Sequence, residues 1–342
     1  MGRHSAPRPR RRHTGLMTAL GAVLLVAGLA FTFYPVFSAS MAQQEANDAL
    51  AAWRAEGAVN ATIVEDPTTG ETFRAKEGDA TYEQLAAYNE EVAAGTGDAV
   101  NDPFAFSGDD LAALGLPDGI VGSITIERFG ETIPLYLGAS SEHLAQGAAV
   151  LAGTSMPLGG GGTHCVIAAH RGAWSGLTMF RDVETLEVGD LVRIETPWDQ
   201  LCYRVTGFEV ILPDDTGAFG IEADRDLLTL LTCHPYGENH HRILVRCERD
   251  RVAEADVAGT AAGGAFLGEG LVARIAHAVW PGWSAGSPLL NVESILRVTG
   301  VGITLALGMW LIVDSVRARV RERARGRAPG CGQHMAGTHR RR

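Results

Sequence analysis

Thr229-Leu230-Leu231-Thr232-Cys233-His234-Pro235-Tyr236-Gly237-Glu238-Asn239-His240-His241-Arg242-Ile243-Leu244-Val245-Arg246 places a cysteine at the end of one apolar, strand-like run. An arginine follows nine residues later, at the start of another. Two strands joined by a turn would bring this thiol and guanidinium close together. Tyr236 and Asn239 read as residues that shape the turn, and His234 as an exposed loop residue. The arrangement becomes catalytic if a base stands nearby. Upstream, Thr163-His164-Cys165-Val166-Ile167-Ala168-Ala169 reads as a buried strand ending in His170-Arg171-Gly172. A cysteine and a histidine distant in sequence but adjacent in the fold form the general pattern of a thiol nucleophile with its acid/base partner.

Working outward, the texture from Ile120 is one of short β-like runs separated by turns. Strands are expected near 121–126, 132–137, 164–169, 190–196, 200–212, 227–232 and 242–248, with alternation clearest in Leu191-Val192-Arg193-Ile194-Glu195. Seven or eight short strands with few helices imply a mainly β fold closed into a barrel. Gly159 to Gly162 reads as a hairpin turn, because no helix or lysine follows it to make a phosphate loop. Upstream, Ala39 to Trp53 and Thr81 to Val92 read as helices, the second with Thr81 as a possible N-cap. Asp66-Pro67-Thr68-Thr69-Gly70 and Gly95-Thr96-Gly97-Asp98 carry loop chemistry.

The ends of the 342-residue chain do not belong to a globular core. Gly15 to Gln44 holds no charged residue, and the predominantly apolar Leu16 to Phe33 within it reads as a bilayer-spanning anchor, with a cleavable secretory signal as the alternative. A second apolar run, Val298 to Val313, reads as another membrane helix, with Trp280 and Trp283 at the interface. Arginines cluster before the first run (Arg8, Arg10, Arg11, Arg12) and after the second (Arg317 to Arg327), which places both termini on the cytoplasmic side. The formal charge of −11 conceals a +5 segment in residues 1–14 and a +7 segment in 314–342, leaving −23 between them. So acidic an outward-facing region argues against nucleic acid as a partner. Of the five cysteines, Cys331 falls in the cytoplasmic tail. Cys202 and Cys247 read either as a disulfide, if their strands are neighbours, or as two small buried hydrophobes.

These residues together resemble the sortase family of membrane-anchored cysteine transpeptidases, and most closely its class C, pilin-polymerising branch. The resemblance covers roughly residues 100–250. It rests on Thr229-Leu230-Leu231-Thr232-Cys233, His170-Arg171-Gly172 and Asn239-His240-His241-Arg242-Ile243-Leu244-Val245-Arg246, with supporting phrases at Ile133 to Gly138, Gly153 to Pro157 and Phe180-Arg181-Asp182. It implies a sortase-type barrel of seven to eight strands with short helices, a helical and lid extension before it, and terminal transmembrane helices. Cys233 would be the nucleophile, His170 the general acid/base and Arg242 the holder of the oxyanion. Arg246, on the same strand face, is the confounder, and the family pattern favours Arg242. Asn101-Asp102-Pro103-Phe104 resembles the class C lid, with Asp102 pairing an active-site arginine and Phe104 covering Cys233. The family more often has tryptophan where this chain has Phe104, and the smaller ring implies a weaker latch. Without the resemblance, Asp102-Pro103 would be read as a simple turn.

The expected organisation is a basic tail (1–14), an anchor (15–38), a helical extension with lid (39–119), the barrel (120–250), a linker (251–293), a transmembrane helix (294–313) and a second basic tail (314–342). The implied function is cleavage of Leu-Pro-x-Thr-Gly-like sorting signals and transfer of the acyl group to a pilin lysine, without a cofactor. A housekeeping sortase acting on a peptidoglycan precursor is the nearest alternative. The more distant one, a metal-binding ectodomain, would use His164, Cys165, His170, Cys233, His234, His240 and His241. These lack the spacing typical of zinc sites, and adjacent histidines on an extended segment point to opposite faces.

Overall fold

The computed structural model describes residues 12–57, 62–65, 72–95, 106, 108–116, 118–172, 176–254 and 288–326, apart from the side chains of 12–18, 31–33, 35, 36, 288, 290, 293, 318 and 321–326. The expected lid residues Asp102, Pro103 and Phe104 lie outside these, as do Cys331 and residues 255–287 of the expected linker. Two compact units emerge: Met1–Thr32 with Val298–Arg342, and Phe33–Arg297.

The second unit is built on eight strands: β3 (Ile120–Ile126), β4 (Glu131–Leu137), β5 (Ala148–Val150), β6 (Thr163–Ala168), β7 (Leu191–Glu195), β8 (Gln200–Ile211), β9 (Asp226–His234) and β10 (His241–Arg249). They close in the order β10-β8-β7-β3-β4-β5-β6-β9, with β9 pairing β10 to complete the barrel. Most pairs are antiparallel, but β4 with β5 and β6 with β9 are parallel. The connection from β4 to β5 runs through a short helix, α4 (Ser141–Gln146), capped where the Ser140 hydroxyl accepts from the His143 N–H. The barrel is filled by Leu135, Leu137, Val150, Ile167, Ile194, Leu201, Leu228 and Val245, all essentially solvent-free. Each contributes roughly 1.5–3 kcal/mol by leaving water. Seven strands fall where periodicity placed them; β5, three residues long, is too short to show a period.

Helix α2 (Ala80–Ala94) packs on this barrel. Its N-cap is Asp79, whose carboxylate accepts from the Tyr82 N–H, and not Thr81 as expected; the chain enters the helix two residues earlier. Leu85 is buried, Tyr82 meets Trp198 edge to face at 5.5 Å, and Asn89 closes a pair of bonds with the Met156 backbone at 2.6 and 3.3 Å. The Tyr88 hydroxyl accepts from Gly153 N at 2.7 Å. An antiparallel pair, β1 (Ile63–Glu65) and β2 (Thr72–Arg74), precedes α2, one strand on each side of the expected loop Asp66 to Gly70, which lies outside the described residues. Helix α3 (Gly108–Ala113) follows it.

Two long helices complete the described chain, α1 (Arg12–Gly57, 46 residues) and α5 (Pro288–Gly326, 39 residues). They correct the expectation of a mainly β protein. The fold is mixed α/β, a closed barrel with flanking helices. The expected helix at Ala39 to Trp53 is the continuation of α1 and not a separate element. Among the described residues, one segment, Ser294–Arg317, is long and apolar enough to cross a membrane; the apolar part of α1, Ala19–Ala30, is shorter. Within the unit that holds them, Gly28 faces the Thr304 hydroxyl, which a Cβ would approach to 2.8 Å, and Gly21 faces Trp310 and Leu311. Small residues thus let these two helices meet closely.

Candidate active site

Strand register brings the site together. Arg242 on β10 is the direct partner of Cys233 on β9, so both side chains stand on one face, within the reach of neighbouring strands about 4.8 Å apart. On the other side of β9, Ala168 of β6 pairs with Leu231 in parallel. Continuing that register by two residues sets His170 level with Cys233. The continuation is held by Ala169 N donating to Leu231 O at 3.2 Å and by the Thr232 hydroxyl donating to Ala169 O at 2.7 Å. His170, Cys233 and Arg242 therefore occupy three adjacent chain segments at one level.

The turns at each end suit their residues. Gly172 takes φ +70°, and a Cβ there would lie 2.3 Å from Thr178 O, so the His170-Arg171-Gly172 turn requires glycine. Asn239 takes φ 61°, a left-handed conformation that asparagine tolerates, in the turn where Glu238 and Asn239 N–H groups both donate to Pro235 O. The His234–Pro235 peptide is cis.

All three residues line a groove of about 480 Å³. Its walls are largely apolar, with Leu144, Leu151, Ala169, Ile211, Phe219 and Leu231 among them. This size and character suit an extended peptide with apolar side chains. Cys233 and Arg242 are half-buried and His170 is exposed. Arg242 spends Nη1 on the carbonyls of Asn239 (3.3 Å) and His241 (3.0 Å), which fixes the guanidinium over the turn.

The confounding arginine is elsewhere. Arg246 Nη1 donates to Ala218 O at 2.6 Å and Nη2 pairs with Glu209 at 2.7 Å, in a separate cavity of about 440 Å³ shared with His164. His164 is buried between Gly220 O (2.9 Å) and the Thr229 hydroxyl (2.8 Å), and its burial lowers its pKa. A carbonyl only accepts, so Nδ1 carries the proton and Nε2 accepts from Thr229.

Among the described cysteines, Cys233 alone is not buried; Cys165, Cys202 and Cys247 are, and all four are free. Burial raises the Cys165 and Cys247 thiols strongly and pushes Cys202 up to about 11. These three thiols are held protonated at neutral pH, as structural cysteines are. The expected strands of Cys202 and Cys247 are neighbours, but Cys247 pairs with Val205, which leaves Cys202 beyond the partner of Arg249 and rules out a bridge.

Sequence reasoning missed what lies behind the groove face that carries His170, Cys233 and Arg242. His234 is not an exposed loop residue. Its side chain is 14% exposed and donates through Nδ1 to Glu184 Oε1 at 2.9 Å. The same oxygen accepts from Arg171 Nη1 at 3.1 Å, and that nitrogen also donates to the Cys233 carbonyl at 3.2 Å. Tyr236 lies under the guanidinium groups of Arg171 and Arg181, at 5.8 and 5.7 Å. The available signal was alternation: Arg171 follows His170 and His234 follows Cys233, so both must face away from the groove.

Fold and groove define a class of protein: an eight-stranded barrel whose accessible thiol stands between an imidazole and a guanidinium. The chain belongs to the sortase family. Residues 124–250 match the model of the sortase domain. Sortase C1 of Streptococcus agalactiae, solved with MTSET, is 35% identical, with 50% of this chain and 88% of that chain covered at a TM-score of 0.45. Sortase C of Clostridium perfringens, solved with the C-terminal cell wall sorting motif, is 31% identical, covering 60% of this chain and 99% of that chain at a TM-score of 0.47. Sortase D of Bacillus subtilis (strain 168) is 24% identical over 115 residues, 34% of this chain. The match spans about half the length, 54%, of that curated relative.

Proposed function

We propose that the chain is a membrane-anchored, class C-type cysteine transpeptidase that joins pilin subunits. The observation that carries this reading is the level placement of His170, Cys233 and Arg242 along one apolar groove. The Cys233 thiolate attacks the threonine carbonyl carbon of a Leu-Pro-x-Thr-Gly-like signal, and Arg242 holds the resulting oxyanion with charge-assisted hydrogen bonds. The carbon–nitrogen bond to glycine breaks as His170 supplies a proton to the departing amine, leaving a thioester on Cys233. A lysine ε-amine then attacks the thioester, gives its proton to His170 and releases the thiolate. The product is an isopeptide bond between two subunits.

Similar proteins of 31–35% identity are described as sortase C, one of them solved with the C-terminal cell wall sorting motif, and this supports the pilin-directed reading. In this reading Asp102, Pro103 and Phe104 take the lid role that the resemblance of Asn101-Asp102-Pro103-Phe104 to the class C lid implies. The membrane-length span in α5 and its close packing with α1 support a two-pass arrangement with cytoplasmic termini and an extracytoplasmic barrel.

The test is product analysis. The full-length chain in detergent is incubated with a Leu-Pro-x-Thr-Gly peptide and a lysine-bearing acceptor peptide from a pilin. The expected product joins the threonine carbonyl to the lysine ε-nitrogen, and more of it forms with Phe104→Ala. Transfer only to a peptidoglycan-type amine would replace the pilin reading with the housekeeping one.

A further inference from the structure

Resting on that reading, we infer that Glu184 is a positioning residue for the thiol chemistry: it clamps Arg171 and His234, and through them the backbone that carries His170 and Cys233. The inference begins with strand alternation. His170 and Cys233 face the groove, so the next residue on each segment turns to the opposite side. There a single carboxylate oxygen, Glu184 Oε1, accepts from both Arg171 (3.1 Å) and His234 (2.9 Å). Arg171 also reaches across to the Cys233 carbonyl at 3.2 Å. Three bonds thus tie the two catalytic segments together directly behind the reacting groups.

Burial makes the tie stiff. The side chains of Arg171 and Glu184 are 4% and 8% exposed, so the pair is shielded from the water that would loosen a surface ion pair. Glu184 belongs to the 3-10 turn Val183–Thr185, within a run whose Phe180, Val183 and Leu186 are buried in the barrel core. The carboxylate is therefore anchored independently of the two segments it joins. Removing it takes from the buried Arg171 guanidinium its carboxylate partner among the described residues, beside Cys233 O, and removes the His234 ring's bond to Glu184. Cys233 would then lose its fixed position relative to His170 and Arg242, and a misplacement near 1 Å costs on the order of 10²-fold in rate.

The experiment measures single-turnover thioacylation of the full-length chain in detergent by a Leu-Pro-x-Thr-Gly peptide over a range of concentrations. Glu184→Gln keeps the size and removes the charge. Its maximal rate per active thiol is expected to fall roughly 10- to 100-fold. The half-saturating peptide concentration should stay within about twofold, since the groove walls are untouched, and Glu184→Asp should recover part of the rate. A merely structural role would instead lower the fraction of chains with a titratable Cys233 and leave the rate of the remainder unchanged; that result overturns the inference. So does a Glu184→Gln rate within about threefold of the parent. If Glu184→Gln does not fold, His234→Asn removes one arm of the clamp and is read by the same criteria. A parent chain that forms no adduct at all defeats the proposed function itself, and the clamp with it.

Discussion

Replacing each of the two arginines of β10 by alanine separates catalysis from scaffolding. In Arg242 the Nη1 group is committed to Asn239 O and His241 O, which leaves Nε and Nη2 to meet an oxyanion at Cys233, the residue directly opposite. Loss of one oxyanion donor typically costs about 2.7–4 kcal/mol of transition-state stabilisation, or 10²–10³ in rate, so Arg242→Ala should lose at least that. Lysine restores the charge but not the fork, and Arg242→Lys should recover about a tenth of the lost ground or less. Arg246 has a different account. Its bond to Ala218 O and its half-exposed pair with Glu209 contribute about 1–2 kcal/mol to stability. The 3-10 turn Gly217–Phe219 that it anchors carries Phe219 into the groove wall. Arg246→Ala should therefore raise the half-saturating peptide concentration several-fold while the maximal rate stays within about threefold. The assay is thioacylation followed by intact mass against time and peptide concentration, with thermal melts as controls. An Arg242→Ala rate within about fivefold of the parent refutes the oxyanion assignment. Equal loss of maximal rate in both variants refutes the separation.

Four further outcomes follow from the polar and thiol groups of the barrel. Asp226 accepts from Gly160 N (2.7 Å), the Tyr203 hydroxyl (2.9 Å) and Arg249 Nη1 (3.1 Å), so Asp226→Ala should lose about 3–5 kcal/mol in denaturant titration; a loss under about 1 kcal/mol contradicts this. Cys202 ionises only at about 11 when folded, against an ordinary 9.0, so the unfolded chain releases its proton first and stability should decline as pH rises from about 9 towards 11. Iodoacetamide at pH 8 should label Cys233 and spare Cys165, Cys202 and Cys247 until the chain is unfolded, and peptide mapping decides it. His164 has its pKa lowered by burial, so the unfolded chain takes up that proton first as pH falls through the ordinary 6.5. Stability should drop there in the parent and less in His164→Gln; equal pH profiles contradict the assignment.

The barrel was readable because its strands alternate and its turns are marked by glycine, proline and asparagine. Cys233 and Arg242 were readable as neighbours because a short turn between two strands leaves few registers. The place of His170 could be anticipated only by resemblance, since the parallel pairing of β6 with β9 is a long-range contact with no local signal. The same limit explains the missing β5, which exists by pairing with β4 and β6 and not by pattern. It also explains why Cys202 and Cys247 could be read either as a disulfide or as two buried hydrophobes, a choice that register decides, and why Glu184, whose partners lie 13 and 50 residues away, was overlooked. The mainly β expectation named the terminal helices but gave them too little weight: they are the two longest helices described, at 46 and 39 residues.

The most direct test of the central claim is the intact mass of the full-length chain after incubation with a Leu-Pro-x-Thr-Gly peptide, with the modified residue mapped by fragmentation. A hydroxylamine-sensitive thioacyl adduct on Cys233, absent from Cys233→Ala, is the expected result. A folded parent chain that forms no adduct, or an adduct that persists in Cys233→Ala, contradicts it.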